Sequence, residues 1–468
     1  MPNKYNKLSK NTFLFIVNSF GTKIISFVLV PLYTYTLSTQ DFGTVDLIYS
    51  TIQLLIPILT LNIQDAVLRY ALDETQDKKE VISVGIKINF YGVILLLILI
   101  IFSIKFRLLE IDNMYICYIL ISYIVGGFYN IFSMYLKATD NVKILVISGV
   151  LNTFIACLLN IILLLKLKLG VSGYLIANVA GMLIAITFMF YFGDIYKDFK
   201  IRTNKKLTIG MLSYSAPLVL NTVAWWINNA SDKYIITMFC GFAVNGIYSI
   251  AYKIPTILST LQSIFYSSWS ISAITDFDEN DSDGFILNIY LLYSCVSIVG
   301  CSIIMVCNKL LAELLYANEF YIAWQSVPFL LLGTTFNGIA LFEGCLFTAV
   351  RNTKEVSRIT VIGAIVNTVL NFLLIPFLGA VGASVATMLG YFTIWIIRTI
   401  RLQKIIVLRV NWKQQAILMT LLLLQTCLAL FNDTEIVQLI ILFLIIFVQR
   451  KYIKKIIFKT FKLVKGKF

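Results

Sequence analysis

The sequence predicts an all-α integral membrane protein with about 14 transmembrane helices. Hydrophobic residues make up 59% of the 468 residues and charged residues only 13%. The apolar residues fall into about fourteen runs of roughly 20 residues, which is the length of a membrane-spanning helix. When the N-terminus is placed in the cytoplasm, most of the 38 Lys and Arg residues fall on the cytoplasmic side. The positive-inside rule describes this distribution.

The apolar runs follow one another with short connections. Their expected positions are 11–37, 41–68, 83–104, 114–137, 144–166, 171–193, 207–232, 242–271, 285–308, 324–350, 357–378, 380–402, 412–431 and 434–456. No connection is long enough to form a soluble catalytic domain, so we do not expect an enzyme. The eight cysteines lie mostly inside apolar runs and form no CxxC pair, which indicates neither disulfides nor a metal site.

The net charge of +14 is best explained by topology. In a soluble protein it would suggest nucleic acid, but here the positive charges face an anionic inner leaflet. We therefore expect a multi-pass protein of the inner cell membrane with both termini in the cytoplasm, in contact with lipids and not with nucleic acid. The chain has no histidine, so any proton coupling must use carboxylates. No cofactor is expected, apart from H⁺ or Na⁺ as a coupling ion.

The chain contains an internal repeat. The pattern G-x-x-G-x-x-x-A-x-x-x-G begins at Gly170 in the sixth span and at Gly379 in the twelfth. The span before each copy contains an Asn-Thr pair, at Asn152 and Asn367. A repeat unit of six spans enters the membrane twice from the same side, which is one of the standard transporter plans. Packing of small residues between helices is the simpler explanation of the glycines, and both explanations can hold together.

Four segments at matching order and spacing carry a resemblance to a known family. They are DAVLRY at 65–70, SDKYII at 231–236, GIYSIAYKI at 246–254 and YIAWQSVP at 321–328. On these the chain resembles the polysaccharide transporter family, the O-antigen and capsule repeat-unit flippases of the multidrug/oligosaccharidyl-lipid/polysaccharide (MATE-like) superfamily. Each segment alone is a weak signal, and their combination covers nearly the whole chain.

The resemblance implies a fold and a function. The fold is two parallel six-helix lobes in a V, at 1–200 and 201–404, plus two extra transmembrane helices with a basic cytoplasmic tail at 405–468. The implied function is translocation of undecaprenyl-pyrophosphate-linked oligosaccharide repeat units from the inner to the outer leaflet by alternating access. The implied cleft is lined mainly by spans one, two, seven and eight. Implied partners are the lipid-linked oligosaccharide and polysaccharide assembly proteins.

Two lysines fall near the middle of apolar spans. Counting about 1.5 Å per residue places Lys23 of span one and Lys253 of span eight near the midplane. A lone ammonium there costs from about 3 to over 10 kcal/mol, depending on the method. We therefore predict that both bind the diphosphate of a lipid-linked substrate. The alternatives are snorkelling and internal ion pairs.

Other charged residues lie close to the ends of spans. Asp65 and Arg69 are spaced i, i+4 at the end of span two, which permits a salt bridge. Arg69 is either half of that pair or a contact for an arriving headgroup. Asp232 and Lys233 near the end of span seven are structural, part of a gate, or in contact with substrate.

Two further carboxylates lie inside spans. Asp46 in span two and Glu343 in span ten could couple transport to H⁺ or Na⁺, because a buried carboxylate can exchange a proton. Each could equally neutralise a neighbouring cation.

Polar and aromatic residues in span seven fit a sugar ring. Trp225 and Trp226 lie below the interfacial belt where tryptophan is common. Asn221 lies one turn before them. Adjacent residues of a helix point in different directions, so at most one tryptophan lines a cleft. Lipid-facing packing is the alternative.

Prolines interrupt the four spans that the resemblance places at the cleft, at Pro31, Pro57, Pro217 and Pro255. They indicate either bending points for lobe motion or static kinks.

Two other functions are alternatives. A cation-coupled multidrug antiporter of the same superfamily would favour carboxylates over lysines at mid-depth, which is the reverse of the pattern here. A membrane glycosyltransferase or polymerase would need a sizeable outer loop carrying acid/base residues.

Overall fold

The computed structural model describes residues 21–465, apart from 22, 24, 107–111, 199, 201–202, 276, 351, 407–409 and 432–434. These residues form helices and no strands. The α-helices are α1 Val30–Thr36, α2 Thr39–Leu59, α3 Ile63–Ala71, α4 Lys78–Lys105, α5 Asn113–Ala138, α6 Val142–Asn160, α7 Gly170–Phe192, α8 Ile195–Asp198, α9 Lys205–Ala251, α10 Pro255–Thr275, α11 Phe285–Val306, α12 Asn308–Leu315, α13 Val327–Ala349, α14 Thr353–Leu402, α15 Trp412–Leu428 and α16 Glu435–Lys465. A π-helical turn at Ile161–Lys166 extends α6, and a 3₁₀ segment at Asn318–Gln325 precedes α13.

The helices confirm an all-α membrane fold. Within the described residues, eleven helical segments are long and apolar enough to cross a membrane. The longest of them, Lys354–Leu402, has 49 residues and is more than twice the length needed for one crossing. The described part of span one, Ile25–Thr36, and the 17-residue α15 are shorter than a full crossing. The number of fourteen therefore stays a prediction.

The chain forms two compact units, which divide between Ser231 and Asp232. The division lies inside α9, in the predicted seventh span. We refer to residues up to Ser231 as unit 1 and to residues from Asp232 as unit 2. The predicted lobe boundaries near residues 200 and 404 stay a prediction.

The apolar run 41–68 predicts a single helix for span two, but the structure has two. The span ends as α2 at Leu59 and restarts as α3 at Ile63. Leu61 and Asn62 between them have φ angles of 49° and 53°, in the left-handed region. The chain leaves the helix just after Pro57, whose carbonyl accepts the backbone N–H of Asn62 at 2.8 Å. Proline removes a helical donor, so the break falls where the helix is weakest.

Two long helices contain sharp reversals at glycine. In α9, Gly241 has φ 84° and ψ 174°, and in α14, Gly379 has φ 54° and ψ −129°. In a straight α14, Asn367 and Thr387 would lie about 30 Å apart, yet the Nδ2 of Asn367 donates to the Oγ1 of Thr387 at 3.3 Å. The two halves of α14 are therefore an antiparallel hairpin. Only glycine adopts such backbone angles without strain, so these residues set the turns.

The predicted repeat is visible at the level of contacts. In unit 1, a Cβ placed on Gly181 would lie 2.7 Å from the backbone oxygen of Asn152. In unit 2, a Cβ on Gly390 would lie 2.9 Å from the Cβ of Asn367. The last glycine of each motif thus packs against the asparagine of the preceding span. The same pair of positions makes the close helix contact in both units.

Unit 1 is organised around α3. Ile63 and Val67 of α3 are fully buried against α4 and α5, together with Ile82 and Leu136. Asp77 caps α4 by accepting the backbone N–H of Lys79 at 2.9 Å. This packing holds α3, the second half of the broken span two, in the core of unit 1.

The C-terminal helices belong to unit 2. Gln425 of α15 accepts a hydrogen bond from the Oγ of Ser302 on α11 at 2.7 Å and donates to the Ser302 carbonyl at 3.3 Å. Near the start of α15, Gln415 donates to the Oγ of Ser294 on α11 at 2.9 Å. Such bonds between helices supply attraction that apolar packing lacks in a bilayer. These hydrogen bonds fix α15 to α11.

Candidate functional site

Lys253 lies at a break between two helices. Residues 252–254 are not helical, α9 ends at Ala251, and Pro255 begins α10. The backbone carbonyl of Lys253 accepts the Oγ1 of Thr256 at 2.5 Å, and its side chain is half-buried. The predicted proline interruption of span eight therefore falls beside the predicted cation. Interrupted helices of this kind line binding sites in many transporters.

Lys23 lies in the helical stretch that precedes α1, and its side chain is exposed. Most of the segment before it lies outside the described residues. Lys23 belongs to unit 1 and Lys253 to unit 2.

Asp232 is the centre of a buried polar network in unit 2. Its side chain is 5% exposed and accepts a hydrogen bond from the Tyr248 hydroxyl on the other side of the Gly241 turn. The Tyr248 hydroxyl also lies 3.3 Å from the Oγ1 of Thr387 on α14. The backbone N–H of Lys233 donates to the Oδ1 of Asp232 at 2.9 Å, and the Lys233 side chain is half-buried. The network therefore joins both halves of α9 to α14.

The network continues into α14 through amide groups. Asn367 donates to Thr387, and Asn371 donates to the Oδ1 of Asn367 at 3.0 Å. The Oδ1 of Asn371 is buried and has no hydrogen-bond partner among the described residues. With Asp232, these groups offer carboxylate, hydroxyl and amide oxygens, the ligand types that hard cations prefer. The described residues contain no group of three or more His, Cys, Asp or Glu that could hold a metal ion.

Glu343 of α13 is almost fully buried in unit 2, with 1% of its surface exposed. Its Oε1 accepts a hydrogen bond from the Oγ1 of Thr399 at 2.7 Å. Arg398, beside Thr399, is also buried and was missed by the sequence reasoning. Its position four residues before the end of a run made it look like a residue at the membrane boundary. The sequence did contain a sign that Arg398 is buried, because no charged residue lies between Gly379 and this arginine.

The salt bridge that the spacing of Asp65 and Arg69 permits is not present. Asp65 accepts the Nδ2 of Asn62 at 2.5 Å, at the start of α3. Arg69 lies in the last turn of the helix with an exposed side chain. No ion pair joins them in the part of unit 1 that the structure describes. Because α3 begins only at Ile63, Asp65 lies in its first turn, where exposed backbone N–H groups and Asn62 are better placed to satisfy a carboxylate.

The two tryptophans point in different directions, as expected. The Nε1 of Trp226 donates to the backbone oxygen of Ser50 on α2 at 2.7 Å. Trp225 is 48% exposed, and Asn221 one turn before it is also exposed. Trp226 is therefore a packing residue within unit 1, whereas the side chain of Trp225 is exposed. Asp46 of α2 is half-buried, one turn before Ser50.

The fold is similar to that of solved membrane transporters. A structure titled as the lipid II flippase MurJ, inward closed conformation, has a TM-score of 0.69, with 16% identity over 96% of this chain and 99% of that one. An inward-facing multidrug resistance MATE family transporter of the MOP superfamily has a TM-score of 0.65, with 12% identity over 83% of this chain and 95% of that one. At these identities the likeness concerns the fold. The helices and the fold together define an all-α, multi-pass membrane protein with the fold of these two solved structures.

The sequence match is more specific. Residues 8–271, more than half of the chain, match the model of the family described as polysaccharide biosynthesis protein, and the chain belongs to this family. A curated relative is the uncharacterized membrane protein MJ1068 of Methanocaldococcus jannaschii, which is 24% identical over 278 residues. That match covers 55% of this chain and 52% of the relative, so the chain spans about half of that relative's length.

Proposed function

We propose that the chain is a flippase that moves undecaprenyl-pyrophosphate-linked oligosaccharide repeat units from the inner to the outer leaflet of the cell membrane, with both termini in the cytoplasm. The observation that carries this proposal is the position of Lys253 at the helix break, in a member of the polysaccharide biosynthesis family. No covalent chemistry is required, so the protein acts as a transporter and not as an enzyme.

The chemistry of the break suits a diphosphate. The N-terminus of α10 carries the positive end of a helix dipole, which favours anions. Lys253 lies two residues before that N-terminus and adds a full positive charge. Lys23, the other lysine predicted near the midplane, is a second candidate for contact with the diphosphate. Arg69 and Lys233 are further candidates for contact with the headgroup.

The glycan needs a different surface. Trp225 presents an exposed aromatic face, and Asn221 lies one turn away on the same helix. An aromatic ring beside an amide can stack on a sugar and bond its hydroxyl groups. The lipid tail stays in the bilayer while the headgroup and glycan cross.

Transport is proposed to be coupled to H⁺ or Na⁺ through buried carboxylates. Asp232 is the leading candidate, since hydroxyl and amide oxygens surround it in unit 2. Asp46, Asp65 and Glu343 are the other candidates. Contact with polysaccharide assembly proteins is part of the same proposal.

The test uses proteoliposomes that contain a fluorescent undecaprenyl-pyrophosphate-linked sugar, with a membrane-impermeant quencher reporting its leaflet. We expect Lys253→Ala to lower the initial rate at least tenfold, since losing one charge-assisted phosphate contact removes roughly 1.5–3 kcal/mol. Lys253→Arg should retain most of the rate, because it keeps the charge. Lys87→Ala, which removes an exposed lysine of α4, is the matched control. Equal rates for Lys253→Ala and wild type would exclude the cationic site.

The multidrug antiporter remains the second candidate, because the fold is shared with MATE transporters. Efflux of ethidium from the same proteoliposomes distinguishes the two functions. Ethidium transport without transport of the lipid-linked sugar would replace the first proposal.

A further inference from the structure

A second buried polar cluster in unit 2 surrounds Glu343, one of the candidate coupling groups, so the inference deepens the coupling part of the proposed function. The cluster consists of Glu343 on α13, Arg398 and Thr399 on the second half of α14, Thr360 on its first half, and Tyr290 on α11. Glu343, Arg398 and Tyr290 are 1%, 4% and 1% exposed. We call these five residues the Glu343 cluster. An acid and a base buried together in an apolar bundle need either direct pairing or loss of charge.

Glu343 and Arg398 are not paired. The Nη1 of Arg398 donates to the backbone oxygen of Ala340 at 2.6 Å, and its Nη2 donates to the Oγ1 of Thr360 at 2.9 Å. Glu343 takes one hydrogen bond, from Thr399 to Oε1. Its Oε2 and the Nε of Arg398 have no hydrogen-bond partner among the described residues.

The guanidinium is nevertheless within reach of the carboxyl. Ala340 lies one helical turn from Glu343 on the same helix. A Cβ placed on Gly344, the residue after Glu343, would lie 3.0 Å from the Nη1 of Arg398. An ionised carboxylate this close to a buried guanidinium would form a charge-assisted, bidentate pair. A neutral acid would not, and its burial is far less costly.

We propose that Glu343 is a proton-binding site and that this conformation is its protonated state. On deprotonation, the O–H bond of the carboxyl breaks and the proton passes to water. The carboxylate then accepts hydrogen bonds from Arg398, which leaves Thr360. Because Thr360 and Arg398 lie on opposite halves of the α14 hairpin, binding of a proton to Glu343 controls a hydrogen bond that holds the hairpin together.

Other titratable groups lie around the cluster. Tyr290 of α11 interacts electrostatically with Glu343, and Tyr266 of α10 and Cys345 of α13 interact electrostatically with Arg398. None of these is a carboxyl. The ion pair of Arg401 with Glu355, with an N–O distance of 3.6 Å, is partly exposed. Glu355, in the first turn of α14, is therefore a partly exposed carboxylate that can serve as the control for Glu343.

The inference does not depend on which substrate is carried, so its test needs no transport. The purified full chain in lipid nanodiscs is titrated from about pH 6.5 to 9, a range in which an unperturbed glutamate is ionised, and followed by infrared difference spectroscopy. We expect the band of a protonated carboxyl to disappear as the pH rises, and to be lost at every pH in Glu343→Gln. Glu355→Gln should keep the band. A band that Glu343→Gln leaves unchanged, or no band in wild type at any pH, would overturn the proposal.

A second variant covers the case in which Glu343→Gln does not fold. Thr399→Val removes the hydrogen bond to Oε1 and should shift the carboxyl band to higher frequency. An unshifted band would contradict the assignment. The proposed effect of Glu343 on the α14 hairpin is measured by amide hydrogen exchange of residues 353–378. In wild type, this exchange should be faster at high pH after correction for the intrinsic rate. Arg398→Gln should abolish that difference, and a difference that persists would exclude the switch while leaving the proton site to the infrared result.

Discussion

The glycine contacts of the repeat lead to a quantitative prediction for Gly382→Ala. A methyl group on Gly382 would lie 2.6 Å from the carbonyl oxygen of Leu374 and 2.8 Å from its carbonyl carbon. Unstrained carbon contacts are roughly 3.5–4.0 Å, so the halves of the α14 hairpin would have to separate by about 1 Å. Overpacking of this kind costs about 1–3 kcal/mol. The higher helix propensity of alanine returns less than about 1 kcal/mol.

The expected net loss for Gly382→Ala is about 1 kcal/mol, because the overpacking against a backbone that cannot rotate away exceeds the gain in helix propensity. For a unit of this size, that loss lowers the melting temperature by roughly 2–4 °C. The measurement is thermal unfolding of the purified protein in detergent.

The matched control is Gly173→Ala, at the equivalent position of the first repeat. There the nearest atom to the new methyl group is the side-chain Cβ of Leu163 at 3.1 Å, so the expected shift is smaller. The reasoning fails if Gly382→Ala melts with wild type, or if Gly173→Ala is the more destabilised variant.

Three further predictions concern single contacts. Trp226→Phe removes the hydrogen bond to the carbonyl on α2 and should destabilise the protein by about 1 kcal/mol, whereas Trp225→Phe, at an exposed position, should leave the melting temperature unchanged. Gly379→Ala forces alanine into the backbone angles of the α14 turn and should cost about 1–3 kcal/mol; normal stability would show that the turn tolerates a side chain. Lys200 lies beside Asp77 and holds the pKa of that carboxyl below its usual value by hydrogen bonding. The stabilisation from this pair is therefore present above about pH 4, the pKa of an unfolded aspartate, and is lost as the pH falls below it. Melting curves of Lys200→Met should match wild type in strong acid and fall below it near neutral pH.

The fold was largely predictable from the sequence, because membrane insertion constrains composition directly. The lengths of the apolar runs predicted the membrane spans. The glycine motif predicted close helix packing, which the structure shows at Gly181 and Gly390. The break after Leu59 was less visible, since Pro57 marked a weak point without saying whether the helix would bend or end.

The candidate site was predicted less completely, because charge pairing depends on three-dimensional neighbours. The spacing of Asp65 and Arg69 allowed a pair, but the helix start at Ile63 gave Asp65 a nearer partner in Asn62. Arg398 was overlooked because its distance from the end of a run says nothing about the helices packed around it.

The hairpin of α14 has a consequence for biosynthesis. Asn367 is made before Thr387, the hydroxyl that its amide bonds. Until the second half of the hairpin emerges from the ribosome, the amides of the first half would face lipid without that partner, which is unfavourable. Insertion of both halves as one unit avoids this state. The single-glycine turn makes joint insertion feasible, because it leaves no loop to be translocated separately.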